Sequence, residues 1–210
     1  VERCFKMLKI ETVVCGMLEE NAYIVSVEGG EGVFIVDPGD DYAALVRALA
    51  GRRLEAVCLT HAHFDHMLAA PGLIADTGAK LYAAARDIPA LNDARLNLYN
   101  PSASRLPAPQ GLRAIPYAQT LEVCAAKLEV LPTPGHTPGG VCLYAREEGV
   151  LFSGDTLFCA GYGRVDFPGS NAADMRASLL KLFGLPGDTR VYPGHGEETT
   201  IARERARYQL

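Results

Sequence analysis

The stretch THAHFDH, residues 60–66, contains three of the five histidines of this 210-residue chain. A lone histidine is ordinarily a structural or surface residue, since histidine is intermediate in burial. Three histidines within six residues, interleaved with Asp65, would crowd basic and acidic groups together unless a cation used their lone pairs. Neutral imidazole and carboxylate are ligands of Zn²⁺, Fe²⁺ and Mn²⁺. The stretch therefore predicts a site for divalent metal.

The remaining candidate ligands also follow predicted buried strands. His136 lies in PTPGHTPGG (132–140), Asp155 in LFSGDTLF (151–158) and His195 in YPGHGE (192–197). Glycine, proline and threonine around these residues favour loops at strand ends over packed core positions. We therefore expect these side chains to join the first cluster.

The spacing divides the candidates into two ligand sets. His61 and His63 are two residues apart, so in an extended turn they point to the same side and can share one ion. Asp65 and His66 are displaced toward a second ion, where the chain enters a predicted helix. The first set is His61, His63 and His136, and the second is Asp65, His66 and His195. Asp155 has two oxygens and can bridge ions about 3.5–4 Å apart. The expected cofactors are two divalent ions, zinc with iron or manganese as alternatives.

Composition excludes several other classes of protein. The chain is 49% hydrophobic and 21% charged, as in ordinary globular proteins, and its apolar runs, such as VFIV (33–36), are far shorter than a membrane span. The first ten residues lack the apolar segment of a signal peptide. A net charge of −5 without a Lys/Arg run argues against nucleic-acid binding. The six cysteines are scattered singly, which is typical of reduced core residues in a cytoplasmic protein.

The order of predicted elements gives the fold class. A meander of strands, ending in GVFIVDPG (32–39), leads into a helix over 40–51 and then a strand over 56–60. A helix follows over 64–78, interrupted near Pro71. Strands return from 112 onward, including LEVCAAKLEVLPT (121–133), before a helix over 171–184, a strand over 189–194 and a terminal helix over 197–210. Strands followed by strand–helix units, twice over, predict an α/β fold: an αββα sandwich of two mixed sheets with helices on both outer faces. We expect one domain over 1–210, with 86–118 as a lid or insert.

Together these motifs resemble the metallo-β-lactamase-fold hydrolases over roughly residues 8–200. The metal motifs occur in the family's order, and the resemblance implies the same αββα sandwich. VDPG (36–39) is also typical of the family, and Asp37 resembles the aspartate that orients the metal-binding loop.

Two details of the resemblance indicate a subgroup. The bridging position is Asp155, whereas true zinc β-lactamases usually have cysteine there, which disfavours antibiotic hydrolysis. The stretch GYGRVDFPGSN (161–171) resembles a segment of glyoxalase II-like thioesterases and persulfide dioxygenases, whose arginine helps hold a glutathione-type substrate. Arg164 is thus a candidate anchor for a substrate carboxylate, the alternative being an Arg164–Asp166 pair that stiffens the loop. Because the sequence stops soon after His195, it is most similar to the short glyoxalase II-like (hydroxyacylglutathione hydrolase-like) proteins.

The resemblance implies a metallo-hydrolase that cleaves a small acyl thioester of the S-2-hydroxyacylglutathione type. The expected nucleophile is a hydroxide bridging the two ions, with Asp65 as the catalytic residue that orients it. The expected partner is a small acyl-thiol, and the oligomeric state is not predicted. The alternatives are a persulfide dioxygenase with one iron and a lactone or phosphodiester hydrolase. A zinc-stabilised binding module is less favoured, because structural zinc sites need only four ligands.

Overall fold

Two six-stranded sheets form the middle of the structure, a computed structural model that describes residues 7–208. Cys4 and the last two residues lie outside the described part. The first sheet contains, in order, β1 (Leu8–Cys15), β2 (Glu20–Val27), β3 (Gly32–Val36), β4 (Arg53–Cys58), β5 (Lys80–Ala83) and β6 (Ile115–Pro116). The second contains, in order from one edge, β12 (Thr199–Thr200), β11 (Arg190–Pro193), β10 (Val150–Gly154), β9 (Val141–Ala145), β8 (Ala126–Pro132) and β7 (Thr120–Val123). Both sheets are mixed, since each combines parallel and antiparallel pairs.

Four helices cover the outer faces of the sheets. The helices α1 (Tyr42–Leu49) and α2 (Ala70–Thr77) pack on the first sheet, and α3 (Ala172–Phe183) and α4 (Ile201–Arg205) pack on the second. The α1 helix begins where Asp41 accepts a hydrogen bond from the amide of Ala44, a typical N-cap contact. Among the helices of the described part, none has both the length and the apolar content needed to cross a membrane.

Alternating side chains of the central strands separate three apolar cores. In β3, Val33 and Ile35 face α1 and α2, whereas Phe34 and Val36 face the other sheet. Every residue of this strand is buried, because both faces of the sheet are covered. The layers are therefore helix, sheet, sheet and helix, which confirms the αββα sandwich.

One local prediction was confirmed in part and two were wrong. The helix expected over 64–78, with an interruption near Pro71, is a 3₁₀ turn (Phe64–His66) followed by α2, and Pro71 lies in the first turn of α2, where a helix tolerates proline. The strand expected over 121–133 is the β7–β8 hairpin, turning at Cys124 and Ala125 with φ of 49° and 63°. The terminal helix expected over 197–210 covers only five described residues, those of α4.

The segment 86–118 is largely irregular and is attached to the rest of the molecule by buried polar groups. The carboxylate of Asp40, 3% exposed, accepts hydrogen bonds from the amides of Arg105 and Leu106 at 2.6 and 3.0 Å. The carbonyl of Asn97, itself buried, accepts from the amide of Phe64 at 2.9 Å. These contacts place the segment directly beside the THAHFDH turn.

Candidate metal centre

The ends of four strands bring the predicted ligands together at one edge of the sandwich. The THAHFDH turn follows β4, His136 follows β8, Asp155 follows β10 and His195 follows β11. Carboxyl ends of parallel strands, such as β10 and β11, meet at the same edge of a sheet, where open α/β sheets bind ligands. All seven side chains predicted as metal ligands lie in this cluster.

The first ligand set consists of three buried imidazoles. One ring nitrogen from each of His61, His63 and His136 lies within 4.8 Å of the others. The Nδ1–H of His136 donates to the carbonyl of Arg164 at 2.8 Å, and that of His61 donates to Thr60 Oγ1 at 3.1 Å. These bonds fix Nδ1 of His136 and His61, so Nε2 of each carries the lone pair that faces the centre. His63 instead faces the centre with Nδ1, 2.8 Å from Nε2 of His136.

The second set is more polar and lies nearer the surface. Donor atoms of Asp65, His66 and His195 also lie within 4.8 Å of one another. The Nε2 of His195 is 3.4 Å from Oδ2 of Asp65, while its Nδ1–H donates to the carbonyl of Leu18 at 3.0 Å. This set therefore combines a carboxylate with two oriented imidazoles.

Asp155 lies between the two sets. Its Oδ1 is 3.4 Å from Nε2 of His66, and its Oδ2 is 3.3 Å from Nε2 of His136. Gly194 approaches closely here, because a Cβ at that position would collide with Asp155 and with the His66 ring. One carboxylate thus contacts a member of each set.

Burial and neighbouring charges shift the pKa of the two ligand sets in different directions. Burial and adjacent imidazoles lower the pKa of His61 well below its ordinary value and that of His63 to about 3. Burial works to raise the pKa of Asp65 and Asp155, but the charge of His66 outweighs it and holds both below the ordinary range. The first ligand set therefore presents neutral imidazoles in His61 and His63. In the second set the neighbouring carboxylates raise the pKa of His66 and His195, so anionic oxygens face imidazoles that hold their protons more firmly. Metal binding there would release those protons.

Buried atoms without partners support the same conclusion. Within residues 7–208, Nε2 of His61, Nε2 of His66 and Oδ1 of Asp155 are buried and have no hydrogen-bond partner. A buried polar atom left unsatisfied costs about 1–3 kcal/mol. Divalent ions would satisfy these atoms, so the residues present fit a two-metal centre.

The family follows from a comparison with known proteins. The family described as the metallo-beta-lactamase superfamily matches residues 15–195. The chain belongs to the metallo-beta-lactamase superfamily. Membership makes it a metal-dependent hydrolase whose His/Asp cluster is typical of a dinuclear centre, as the sequence predicted.

Three similar superfamily proteins show the range of activities and metals. The hydroxyacylglutathione hydrolase of Cupriavidus taiwanensis is 41% identical over 195 residues, which cover 90% of this chain and 67% of that protein. The structure of TTHA1623 in a di-iron-bound form is 38% identical with a TM-score of 0.84, covering 93% of this chain and 96% of that one. The structure of the BLEG-1 B3 metallo-beta-lactamase is 32% identical, also with a TM-score of 0.84, and covers 95% and 97%.

Asp37, in the VDPG turn of this superfamily member, holds the THAHFDH turn from behind. Its carboxylate accepts hydrogen bonds from the amide and hydroxyl of Thr60 at 2.7 and 2.5 Å. Its Oδ2 is also 3.1 Å from Nδ1 of His66. Asp37 has a φ of 51°, in the left-handed region that aspartate enters more readily than most residues. The side chain thus couples backbone, hydroxyl and imidazole at the centre.

Sequence reasoning missed three buried polar residues around the centre. Glu20, fully buried, lies 3.7 Å from Nδ1 of His66, and burial raises its pKa. Asn21 and Asp87 hydrogen-bond to the loops that carry the histidines. For Glu20 and Asn21 the available signal was two polar residues opening the apolar strand β2. Asp87 gave no such signal, because its partners are distant in sequence.

A cavity of about 460 Å³ opens onto the centre. Apart from the candidate ligands its wall is mainly apolar and aromatic, including Leu18, Leu98, Phe158, Tyr162 and Phe167. Arg164 lines the same cavity, with its guanidinium 4.1 Å from the Phe167 ring centroid and paired to Asp166 at 2.8 and 2.9 Å. Arg164 therefore lines the cavity and is also paired within its loop, and its role as a substrate anchor stays a prediction.

Proposed function

We propose that this superfamily member hydrolyses small acyl thioesters of the S-2-hydroxyacylglutathione type. The observation that carries the proposal is the pair of ligand sets joined by Asp155 in the wall of the cavity. Three residues, His61, His63 and His136, would hold one ion, and Asp65, His66 and His195 the other, with Asp155 contacting both. Zinc suits this donor set, and iron is the alternative that the TTHA1623 structure supports.

When bound by these residues, the two ions would supply Lewis-acid chemistry, lowering the pKa of a water to about 7 and polarising a carbonyl oxygen. Asp65, whose pKa is held below its ordinary range, stays an anionic hydrogen-bond acceptor that would hold the proton of the attacking hydroxide and orient its lone pair. A thiol leaving group has a pKa of about 8.5 and departs without a general acid. That agrees with the placement of all five histidines in the cluster, which leaves none to protonate a leaving group.

Support for the thioester comes from three features. The hydroxyacylglutathione hydrolase of Cupriavidus taiwanensis is similar to this chain over most of its length. Asp155 occupies the bridging position, and Arg164 faces the cavity where it would contact a substrate carboxylate. The expectations of a cytoplasmic protein acting on a small molecule, without a nucleic-acid or membrane partner, remain predictions.

β-Lactam hydrolysis is a second candidate, because the similarity to the BLEG-1 B3 metallo-beta-lactamase extends over nearly the whole chain. The aspartate at the bridging position argues against it. Persulfide oxidation with one iron, and hydrolysis of lactones or phosphodiesters, are the further alternatives raised by the sequence.

A substrate panel combined with metal analysis tests the proposal. Purified protein would be assayed with S-lactoylglutathione, other acyl-thiols, a lactone, a phosphodiester and a β-lactam, and for oxygen uptake with glutathione persulfide. We expect two metal ions per chain and the highest kcat/KM on an acyl thioester. One iron per chain with oxygen uptake would overturn the hydrolase proposal. Turnover of only another substrate class in the panel would overturn the proposal that the substrate is a thioester.

A further inference from the structure

Asp87 joins the two turns that supply the first ligand set. The side chain is 3% exposed and makes no contact with a candidate metal-binding atom among the described hydrogen bonds. Its Oδ2 accepts from the amide of Ala62 at 3.2 Å and from the hydroxyl of Thr137 at 2.8 Å, and its Oδ1 accepts from the amide of Gly139 at 2.6 Å. Ala62 lies between two candidate ligands, and Thr137 directly follows a third.

The backbone around Asp87 is adapted to this contact. A Cβ on Gly139 would collide with the Asp87 carboxylate, so glycine permits the close approach. The two turns are about 75 residues apart in the chain, and this buried carboxylate hydrogen-bonds to both of them. The relative position of His61, His63 and His136 therefore depends on Asp87.

Asn21 makes an equivalent set of contacts on the other side of the centre. Its backbone N–H donates to the carbonyl of Gly194 at 2.8 Å, and its Nδ2 donates to the carbonyls of Pro193 and Gly196 at 3.1 and 2.9 Å. These three carbonyls flank His195 on both sides. The hydroxyl of Tyr23 also donates to the carbonyl of Pro193, at 2.6 Å.

We propose that Asp87 and Asn21 are positioning residues, each serving one of the two metal ions. Asp87 places the ligands of the first ion, and Asn21 places His195 for the second. The two residues hold different loops, so loss of one contact set leaves the other ion's ligands in place. The proposal rests on the two-metal centre of the proposed function and not on its substrate. Partners of this kind typically change metal affinity about 10–100-fold.

Binding of Co²⁺ distinguishes the two metal sites experimentally. Asp87→Ala and Asn21→Leu would be titrated with Co²⁺ after chelator treatment, measuring stoichiometry by equilibrium dialysis and the ligand field by visible absorption. His63→Ala and His195→Ala, each lacking a ligand of one ion, provide reference spectra for the opposite half-site. Asp93→Asn and Asn92→Leu are matched controls, since Asp93 is paired with Arg95 on the surface and Asn92 joins a loop at Leu112.

We expect each of the two variants to weaken binding of a different Co²⁺ ion. Asp87→Ala should bind one Co²⁺ about 10–100-fold more weakly, and its remaining spectrum should match that of His63→Ala. Asn21→Leu should bind the other Co²⁺ more weakly by a similar factor, and its remaining spectrum should match that of His195→Ala. Both control variants should bind two ions as the unchanged protein does. Parallel loss of both ions in each variant, unchanged affinities, or exchanged spectra would each overturn the proposal.

Milder substitutions keep the test decisive if a variant does not fold. Thr137→Val removes one donor to Asp87, so it should weaken binding of the first ion by a smaller factor than Asp87→Ala does. Tyr23→Phe removes one donor to Pro193, so it should weaken binding of the second ion by a smaller factor than Asn21→Leu does. Circular dichroism of the metal-free proteins checks the fold. Because the readout is binding, a protein whose variants each bind a different Co²⁺ ion more weakly but that cleaves no thioester would contradict only the proposed substrate.

Discussion

The Nδ1 of His63 and the Nε2 of His136 lie 2.8 Å apart, although 73 residues separate them in the chain. Both rings are buried, and a low pKa keeps His63 neutral. Two imidazoles held this close, with ring nitrogens facing each other, can both coordinate the same cation. This pair is the most direct place to test the centre.

Removing one member of the pair should abolish the function of the centre. We expect His63→Ala to lose one metal ion and to lower kcat by at least about 10²-fold, as when a transition-state electrophile is lost. Metal analysis and steady-state kinetics on the best substrate of the panel measure both effects. Circular dichroism controls for folding, and unchanged turnover with unchanged metal content would contradict a catalytic centre.

Asp37 should contribute to stability even without metal. Asp37→Ala leaves the buried amide and hydroxyl of Thr60 without their acceptor and places alanine at a φ of 51°, so we expect a loss of about 2–4 kcal/mol in free energy of unfolding. Asp37→Asn retains an acceptor and tolerates this φ, so it should lose less. Urea denaturation in the presence of a chelator measures the difference, and equal losses would count against the hydrogen bonds as the cause.

Phe152 should be the costlier of two apolar truncations. Its ring is fully buried between the sheets, 5.4 Å from the Tyr23 ring centroid and 5.7 Å from that of Tyr192. Phe152→Ala leaves a cavity there and should cost about 3–5 kcal/mol in free energy of unfolding. Leu180→Ala, on a side chain 43% exposed, is the control and should change it by less than about 0.5 kcal/mol. Similar losses in the two variants would contradict the position of the inter-sheet core.

Arg164 can be tested against its own partner. If it anchors a substrate carboxylate, Arg164→Ala should raise KM on S-lactoylglutathione about 10–100-fold with little change in kcat, because one charge-assisted interaction is lost. Asp166→Ala releases the guanidinium and should not raise KM. If the pair only stiffens the loop, both variants should lose activity to the same extent, and steady-state kinetics distinguishes the two outcomes.

Cysteine modification should depend strongly on pH at the β7–β8 turn, where Cys124 is half-buried. Burial, together with nearby Glu55, raises the pKa of Cys124 to about 12, and burial raises that of Cys142 to about 11. At pH 8 only about 10⁻⁴ of Cys124 is thiolate, so its alkylation by iodoacetamide should rise about tenfold per pH unit up to pH 10. Cys142 should stay unmodified in the folded protein, because it is fully buried. Peptide mass spectrometry measures each site separately, and labelling of Cys124 that does not change with pH would contradict its environment.

The sequence by itself predicted the sandwich and the seven candidate ligands, because both depend on local information. The complete burial of strands such as β3 follows from their apolar residues, and metal-binding side chains need their own residue types at strand ends. The β7–β8 hairpin was missed for a local reason as well, since Cys124 and Ala125 adopt positive φ without the glycine that usually marks such a turn.

Only the tertiary structure decided how the ligands are held. Asn21 and Asp87 were not predicted, because each acts through backbone groups far away in the chain, and a sequence does not show which carbonyl or amide will face a given side chain. Hydrogen-bond partners of this kind exist only after the two sheets have packed and brought separate loops to one edge. The choice of metal-binding residues is thus set by local chemistry, whereas their geometry is set by long-range packing.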